Sequence, residues 1–326
     1  MRHHAFYDFD AFAESIRDID ARMILVNPTR HFWTSSGVDL TGIDVQAGQL
    51  GSGNLGLAEL RHDGYFFYLP TTLGVDYLAN GQLLSYDSIA VIQPGSEFCI
   101  STKQPHDWNA VFIPSDIFEQ QVVDPPSFFN GASCRLTRAD RRVANRLRSM
   151  VREVMFAAAN CPEFESSAAA EVAAIEMLKI TTAALEQPAV DTGSDRGRPK
   201  VSREQIIRGC LAFLEEHSHE PVTVPDLARS VDVSERTLRT AFKDYFGIGP
   251  TRYLLMRQLH QVRRALCEAN PFEDSVTRVM LSQGVWECGR FAARYRQQFG
   301  ELPSQTLLRN KSPAKGNAAT VNPNTS

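Results

Sequence analysis

The hydrophobic pattern of this chain changes period near residue 135, and this change limits the fold more than any other feature. From about residue 21 to 114, short stretches rich in β-branched and aromatic residues recur at roughly ten-residue intervals, which is typical of an all-β barrel or sandwich. Asn80-Gly81 and Pro94-Gly95 supply turn residues between them. Beyond residue 135, apolar residues recur at helical spacing. We therefore predict an α+β fold, with an N-terminal β-barrel and C-terminal helices.

Length and composition exclude several classes of protein. The chain has 326 residues, of which 43% are hydrophobic and 22% charged, so two folded domains are expected rather than collagen or global disorder. The N-terminus carries acids where a secretory signal needs basic and apolar segments, and no apolar stretch is long enough for a membrane span. We expect a cytoplasmic protein without membrane contact, whose six well-separated cysteines are free thiols.

Changes in composition place the boundaries of the predicted domains. A run of Pro, Gly, Asp and Ser interrupts the apolar periodicity after residue 186 and indicates a flexible linker. The small polar residues at the C-terminus predict a disordered tail. The predicted segments are a barrel (1–135), a helical pair (136–186), the linker (187–202), a helical domain (203–310) and the tail (311–326). The helical pair either covers the barrel or forms a dimer seam, and the sequence leaves both open.

Charge is distributed unevenly along the chain. Residues 1–134 hold 6 Lys and Arg against 16 Asp and Glu, whereas residues 200–311 hold 17 against 13. This asymmetry is what a nucleic-acid-binding module joined to a non-binding module would show. The back of the chain is therefore compatible with DNA binding, and the acidic front serves another purpose.

The first of two helix-turn-helix patterns lies in the basic C-terminal part. A short helix begins near Val224, and Ser234 is a favourable N-cap for a longer helix that ends at Gly247. Leu238 and Phe242 share one face of that helix by their spacing of four residues. The opposite face carries side chains that could enter a major groove. These are Arg236, Arg239, Thr240 and Lys243.

The same pattern repeats about fifty residues later. A short helix around Val279 is broken by Gly284, and a longer helix follows in which Phe291, Tyr295 and Phe299 recur every fourth residue. The sequence between the two units predicts one long helix. Such a rigid spacer could hold the two longer helices about 34 to 36 Å apart, one turn of B-DNA.

These motifs resemble those of a known family. Ser234–Tyr253 (SERTLRTAFKDYFGIGPTRY) and Gly289–Ser304 (GRFAARYRQQFGELPS) are similar to the double helix-turn-helix of the AraC/XylS family of bacterial transcription regulators. The resemblance covers about residues 203–310. Trp286–Ala292 and Pro303–Leu307 are similar to a subgroup that includes the ethanolamine-utilisation regulator. The front of the chain resembles the effector-sensing, cupin-like domain of such regulators.

The resemblance implies a function and a set of DNA-contacting residues. It implies a sequence-specific activator that binds double-stranded operator DNA and contacts RNA polymerase. Base edges are expected to be met by Arg236, Arg239, Thr240, Cys288, Arg290 and Ala293, while Ser234, Lys243 and Arg294 complete the predicted interface. Two residues in the core of the second unit, Met280 and Val285, depart from the family pattern. Because Ala293 replaces a polar reader, we expect the second unit to supply phosphate contacts and orientation more than sequence choice.

The acidic barrel is unnecessary for DNA affinity, so it requires a separate role. We expect a small-molecule effector in the mouth of the barrel, in contact with some of Phe32, Trp33, Phe66, Tyr68, Tyr86 and Trp108. The alternative is that the barrel mediates only homodimer or partner contacts.

An enzyme is the other class of protein to consider. A metal-dependent cupin needs about three converging ligands, but His31, His62 and His106 are widely spaced in the sequence and His217-x-His219 lies at a helix end. The motifs of serine hydrolases, P-loop enzymes and dinucleotide-binding enzymes are missing. We expect neither catalysis, a metal site nor a cofactor.

Overall fold

The computed structural model describes most of the chain as four layers. In order these are the helical pair, a seven-stranded sheet, a five-stranded sheet and the first of the C-terminal units, while the second C-terminal unit packs with the core between the sheets. The predicted linker, apart from Ser202, and the predicted tail lie outside the described residues, as does His219. The described residues are 1–120, 129, 134–137, 141–186, 202–218 and 220–309.

Both sheets are antiparallel. The seven-stranded sheet has the order β1-β3-β4-β11-β6-β9-β12, and the five-stranded sheet has the order β2-β5-β10-β7-β8. In the described residues the strands are β1 Arg2–Phe6, β2 Ile19–Val26, β3 Trp33–Leu40, β4 Ile43–Leu50, β5 Gly53–Leu60, β6 Gly64–Pro70, β7 Tyr77–Ala79, β8 Gln82–Leu84, β9 Ile89–Ile92, β10 Glu97–Thr102, β11 His106–Pro114 and β12 Cys134–Thr137.

Local turn chemistry accounts for the hairpins. Asn80 and Gly81 have φ values of 48° and 78° and join β7 to β8, which confirms the predicted tight turn. Positive φ at both central residues matches the twist of the paired strands and favours Asn-Gly. Thr41-Gly42 joins β3 to β4 in the same way, with φ values of 50° and 99°.

Helices occupy both outer layers. Ser202 begins the C-terminal set with a capping box in which its hydroxyl accepts from the backbone N–H of Gln205. The helices are α1 Phe9–Ser15, α2 Ser115–Phe118, α3 Arg141–Asn160, α4 Ala168–Leu185, α5 Arg203–Glu216, α6 Val224–Ser230, α7 Glu235–Phe246, α8 Pro250–Glu268, α9 Val276–Ser282, α10 Cys288–Phe299 and α11 Pro303–Arg309.

The helical pair α3 and α4 covers the outer face of the seven-stranded sheet. Tyr65 and Phe67 on β6 point into this layer, whereas Phe66 and Tyr68 point into the space between the sheets. Strand β6 is therefore buried on both faces. Helix α4 turns its alanine-rich side to the sheet and leaves Val172 and Ile175 exposed. The small side chains allow a close approach, and Met177, Ile180 and Leu185 complete the buried face.

The five-stranded sheet carries the first C-terminal unit on its outer face. Ile24, Leu55 and Cys99 of the sheet share a core with Leu238 and Phe242 of α7. Their neighbour Leu25 belongs instead to the core between the sheets. Alternation along the strand thus gives the sheet two apolar faces. The C-terminal helices pack directly on the barrel.

Arg263 of α8 joins the N-terminal helix α1 to the second C-terminal unit. Its guanidinium is almost fully buried and donates to Asp10 at 2.8 Å, to Glu301 at 2.7 Å and to Asp8. Burial opposes ionisation of Asp10, but hydrogen bonding and charge from His260 and Arg263 outweigh it and lower the pKa of Asp10 to about 2. The three carboxylates compensate a charge that could not otherwise be buried.

We predict that Arg263→Gln weakens the contact between α1 and α8 by about 1.5 to 3 kcal/mol, because it removes charge-assisted hydrogen bonds to Asp8, Asp10 and Glu301. Hydrogen exchange of the α1 amides measures this loss. Arg264→Gln is the matched control, since Arg264 is adjacent and exposed. Equal protection of α1 in the two variants would contradict the assignment.

We predict that Phe242→Ala destabilises the first C-terminal unit by about 3 to 5 kcal/mol, because Phe242 is fully buried against Phe246 and Tyr253. Phe272→Ala is the control, since Phe272 is 82% exposed and surface truncations usually change stability by less than about 0.5 kcal/mol. Chemical unfolding followed by far-ultraviolet circular dichroism compares the two variants. Similar losses in both would show that the core is placed wrongly.

Candidate nucleic-acid interface

The first helix-turn-helix is formed by α6 and α7. The carboxylate of Asp226 accepts from the backbone N–H of Thr223 at 2.9 Å and fixes the start of α6. Asp232 has a φ of 50° in the turn, and the hydroxyl of Ser234 accepts from the backbone N–H of Thr237 at 3.2 Å to begin α7. Gly247 ends α7 with a φ of 73°. The N-cap and the C-terminal glycine predicted from the sequence are both present.

Helix α7 separates an apolar face from a basic face. Leu238, Ala241, Phe242, Tyr245 and Phe246 are buried. The residues on the opposite side are exposed and include all five that were predicted to meet DNA in this unit, Ser234, Arg236, Arg239, Thr240 and Lys243.

The second helix-turn-helix, α9 and α10, presents a similar face. Phe291, Tyr295 and Phe299 are buried, and the predicted residues Arg290, Ala293 and Arg294 are exposed. Cys288 differs, because it is half-buried and its thiol lies 3.7 Å from the carbonyl oxygen of Val285. The departures noted in the sequence, Met280 and Val285, are both part of the core of this unit.

Helix α8 is the spacer between the two units. It holds the first unit through Gln261, whose amide donates to the carbonyl of Ser218 at 3.0 Å. It holds the second through Gln258, which donates to the carbonyl of Gln283 at 3.2 Å. Because these bonds lie on one continuous 19-residue helix, the relative position of the units is fixed by a rigid element.

The C-terminal ends of α7 and α10 both rest on the barrel. The hydroxyl of Tyr245 donates to the side chain of Asn80 at 3.3 Å, and the hydroxyl of Ser101 donates to the carbonyl of Phe246 at 3.3 Å. At the end of α10, Gln298 donates to the carbonyl of Leu25. The N-terminal halves of both helices, which hold the six predicted base contacts, are therefore at the ends remote from the barrel.

The start of each of these helices carries an acidic residue that was not among the residues predicted to meet DNA. Glu235 pairs with Arg239, and Glu287 pairs with Arg290 at 2.8 Å. The available signal was an acid four or three residues before an arginine on the same helix. Trp286, which precedes Glu287, is 79% exposed and was named only as part of a motif.

The structure brings four of the six predicted effector residues into the core between the sheets. Trp33, Phe66, Tyr68 and Trp108 are each no more than 6% exposed, and the rings of Tyr68 and Trp108 stack at 6.0 Å. The other two lie elsewhere. Phe32 is 39% exposed, and Tyr86 lies 3.7 Å beneath the guanidinium of Arg148.

Polar groups accompany these aromatic residues at one end of the barrel. The indole N–H of Trp33 donates to the hydroxyl of Ser52 at 3.0 Å, and the hydroxyl of Tyr77 donates to the carbonyl of Asp107 at 2.7 Å. His106 is buried, with Nδ1 3.0 Å from the hydroxyl of Thr102 and Nε2 without a hydrogen-bond partner. Burial lowers the pKa of His106 to about 4, so this imidazole is neutral near pH 7.

Two surface clefts occur outside this core. One, of about 380 Å³, lies between α8 and α9, and the other, of about 270 Å³, lies on α4. None of the predicted effector residues lines either cleft. Within the described ranges, no group of three or more His, Cys, Asp or Glu is placed to hold a metal ion. Over the same residues, no helix has the length and apolar character needed to cross a bilayer.

Comparison with known proteins assigns the C-terminal region. Residues 227–309 match the family described as "Helix-turn-helix domain". The XylDLEGF operon transcriptional activator 3 of Pseudomonas putida is 38% identical over 117 residues, which cover 34% of this chain and 35% of that protein. The match therefore spans about a third of that relative's length.

A second relative is covered more fully. The XylDLEGF operon transcriptional activator 2 of Pseudomonas putida is 36% identical over 117 residues, which cover 34% of this chain and 74% of that protein. The crystal structure of the AraC-like transcriptional activator CuxR aligns with 80% of this chain and 94% of that one, at 10% identity and a TM-score of 0.43. Because this chain covers 74% of activator 2 at 36% identity, it belongs to the AraC/XylS family of DNA-binding transcription regulators.

Proposed function

We propose that this protein is an effector-responsive transcription activator that places α7 and α10 in successive major grooves of its operator. The observation that carries the proposal is the shared arrangement of the two helices. Each exposes a basic face, and each rests its C-terminal end on the barrel while α8 fixes the units. A helix presented in this way can enter a groove with its first turns.

The two units contribute differently to sequence choice. Arg236 and Arg239 of α7 read bases, because a guanidinium can donate two hydrogen bonds to guanine O6 and N7. Lys243, nearer the C-terminal end of α7, serves as a phosphate contact. In α10, Ala293 carries no polar group, so Arg290 is the main base-reading side chain and Arg294 supplies orientation and charge. The first unit therefore dominates sequence recognition.

We propose that the effector acts through α1. Phe9 of α1 lies 5.4 Å from the ring of Trp33 and 6.0 Å from that of His260, and His260 lies 5.0 Å from Phe299 of α10. Any ligand that displaces Trp33 therefore shifts a helix bound to both α8 and the second unit. Such a ligand changes DNA binding only if it binds one arrangement of α1 and the C-terminal helices more tightly than another.

The wider assignments follow from the family. We propose that activation takes place through contact with RNA polymerase, as the family resemblance implies, and that the protein acts in the cytoplasm, where operator DNA lies. The motifs at 286–292 and 303–307 support membership of the subgroup that includes the ethanolamine-utilisation regulator. The XylDLEGF regulators are named as activators, which favours activation over repression.

A second candidate function has its own structural support. The aromatic residues predicted to bind an effector fill the core between the sheets, while Val172 and Ile175 expose apolar surface on α4. These features favour a barrel that mediates homodimer or partner contacts and binds no small molecule. The two candidates differ in whether any ligand stabilises the barrel.

We predict that Arg239→Ala costs about 1 to 3 kcal/mol at one base pair and relaxes the choice of base there, because a bidentate contact is lost. Lys243→Ala should weaken binding to all sequences alike and reduce the salt slope by about 1. Binding is measured by titration of fluorescent duplexes obtained by selecting genomic fragments on the full chain. If both variants bind these duplexes as the wild type does, the interface is assigned wrongly.

We predict that an inducing metabolite raises the melting temperature of the full chain, since a ligand at 100 times its Kd adds about 2.7 kcal/mol to the folded state. A thermal-shift screen of small metabolites measures the effect, and Trp33→Phe should reduce it. An extensive screen with no stabilising compound would favour the contact-only candidate, in which case Ile175→Asp should change the oligomeric state.

A further inference from the structure

Each of the two recognition helices begins with a carboxylate bound to an arginine. Glu235, the first residue of α7, pairs with Arg239, and Glu287, the N-cap residue of α10, pairs with Arg290 at 2.8 Å. The side chains of both pairs are between 42% and 69% exposed. Both units therefore carry an ion pair between an acid and an arginine on the surface that is proposed to meet DNA.

Stabilisation of the helices explains these acids only in part. An acidic side chain near a helix N-terminus interacts favourably with the helix dipole, but Ser234 already caps α7 through its hydroxyl. At α10 the N-cap residue Glu287 makes no side-chain cap hydrogen bond and binds Arg290 instead. The carboxylates therefore act on the arginines at least as much as on the backbone.

A carboxylate paired with a base-reading arginine affects binding to cognate DNA and binding to non-cognate DNA differently. Non-specific binding depends on phosphate neutralisation by basic side chains, and a carboxylate beside the arginine opposes it by repelling phosphate and holding the guanidinium. In a cognate complex the carboxylate interferes less with DNA binding. A guanidinium has five N–H donors, so it can keep its bond to Glu235 or Glu287 while two other donors meet guanine.

From this difference we infer that Glu235 and Glu287 are specificity-determining residues that suppress binding to non-cognate DNA. Their carboxylates penalise contact of Arg239 and Arg290 with phosphate alone, while each guanidinium keeps donors free for a base. The inference rests on the proposed function of α7 and α10 in base recognition. It adds an acidic component to an interface that was otherwise described by its basic residues.

The test compares Glu235→Gln, Glu287→Gln and the double variant with the wild-type full chain. The probes are a duplex selected from genomic fragments by the wild type and a shuffled duplex of the same length and composition. Each single variant should bind the shuffled duplex about two- to fivefold more tightly, the range expected for an exposed ion pair. Affinity for the selected duplex should change less than about twofold. The effects should multiply in the double variant, because the two pairs lie on separate helices.

Glu204→Gln is the matched control. Glu204 lies in the first turn of α5 and pairs with Arg208 four residues on, so it lies one residue further into its helix than Glu235 and has the same spacing to its arginine. Its neighbour Arg203 pairs with Asp244 near the C-terminal end of α7 at 3.0 Å, which puts it at the end of α7 remote from Glu235. This variant should change binding to neither duplex.

Three results would overturn the inference while leaving the proposed function intact. Equal strengthening on both duplexes would show a general charge effect, and loss of binding to the selected duplex alone would show that the carboxylates read a base. Equal effects of Glu204→Gln would show that position on a recognition helix is irrelevant. A wild type that binds every duplex alike would instead overturn the proposed function, and this inference with it. Circular dichroism confirms that each variant is folded.

Discussion

A buried guanidinium needs compensating carboxylates, and Arg263 is where this requirement ties three parts of the chain together. Asp8 and Asp10 come from the first ten residues, and Glu301 comes from the end of the second helix-turn-helix. The ring of Phe299 lies 4.7 Å from the same guanidinium. Removing one of the carboxylates would leave the buried guanidinium with less compensating charge. This cluster, together with the ring contacts of His260 with Phe9 and Phe299, therefore fixes the relative position of α1, the spacer α8 and the second unit.

The division into a β-rich front and a helical back could be predicted from the sequence because each half keeps its own hydrophobic period. The contact between the halves could not. Ile24, Leu25 and Val26 form a continuous apolar run, which indicates a strand buried on both faces but does not say what covers each face. The structure shows that Leu25 faces the barrel core and Ile24 faces the first unit. Helix α4 was also hard to interpret, because Val172 and Ile175 are exposed while the buried face combines several alanines with Met177, Ile180 and Leu185.

The candidate interface was more predictable than the candidate effector site, for a physical reason. On α7 the spacing of Leu238 and Phe242 fixes the buried face, so the exposed face that contains Arg239 follows directly. In the barrel, an aromatic residue on a strand is equally suited to core packing and to ligand contact, and sequence period does not separate the two. The structure puts Trp33 and Trp108 in the core, where they can serve either purpose. The acids Glu235 and Glu287 could not be assigned a role from the sequence, because an acid three or four residues before an arginine is equally typical of an ordinary ion pair on a helix surface.

The central claim is that both recognition helices meet one duplex together, held in register by α8 and the barrel. Hydroxyl-radical footprinting of the full chain on its selected operator tests this most directly. The account predicts two protected segments on one face of the duplex, with centres about 10 to 10.5 base pairs apart, one helical turn. A single protected segment, or two segments on opposite faces, would show that the helices do not engage the DNA as a rigid pair.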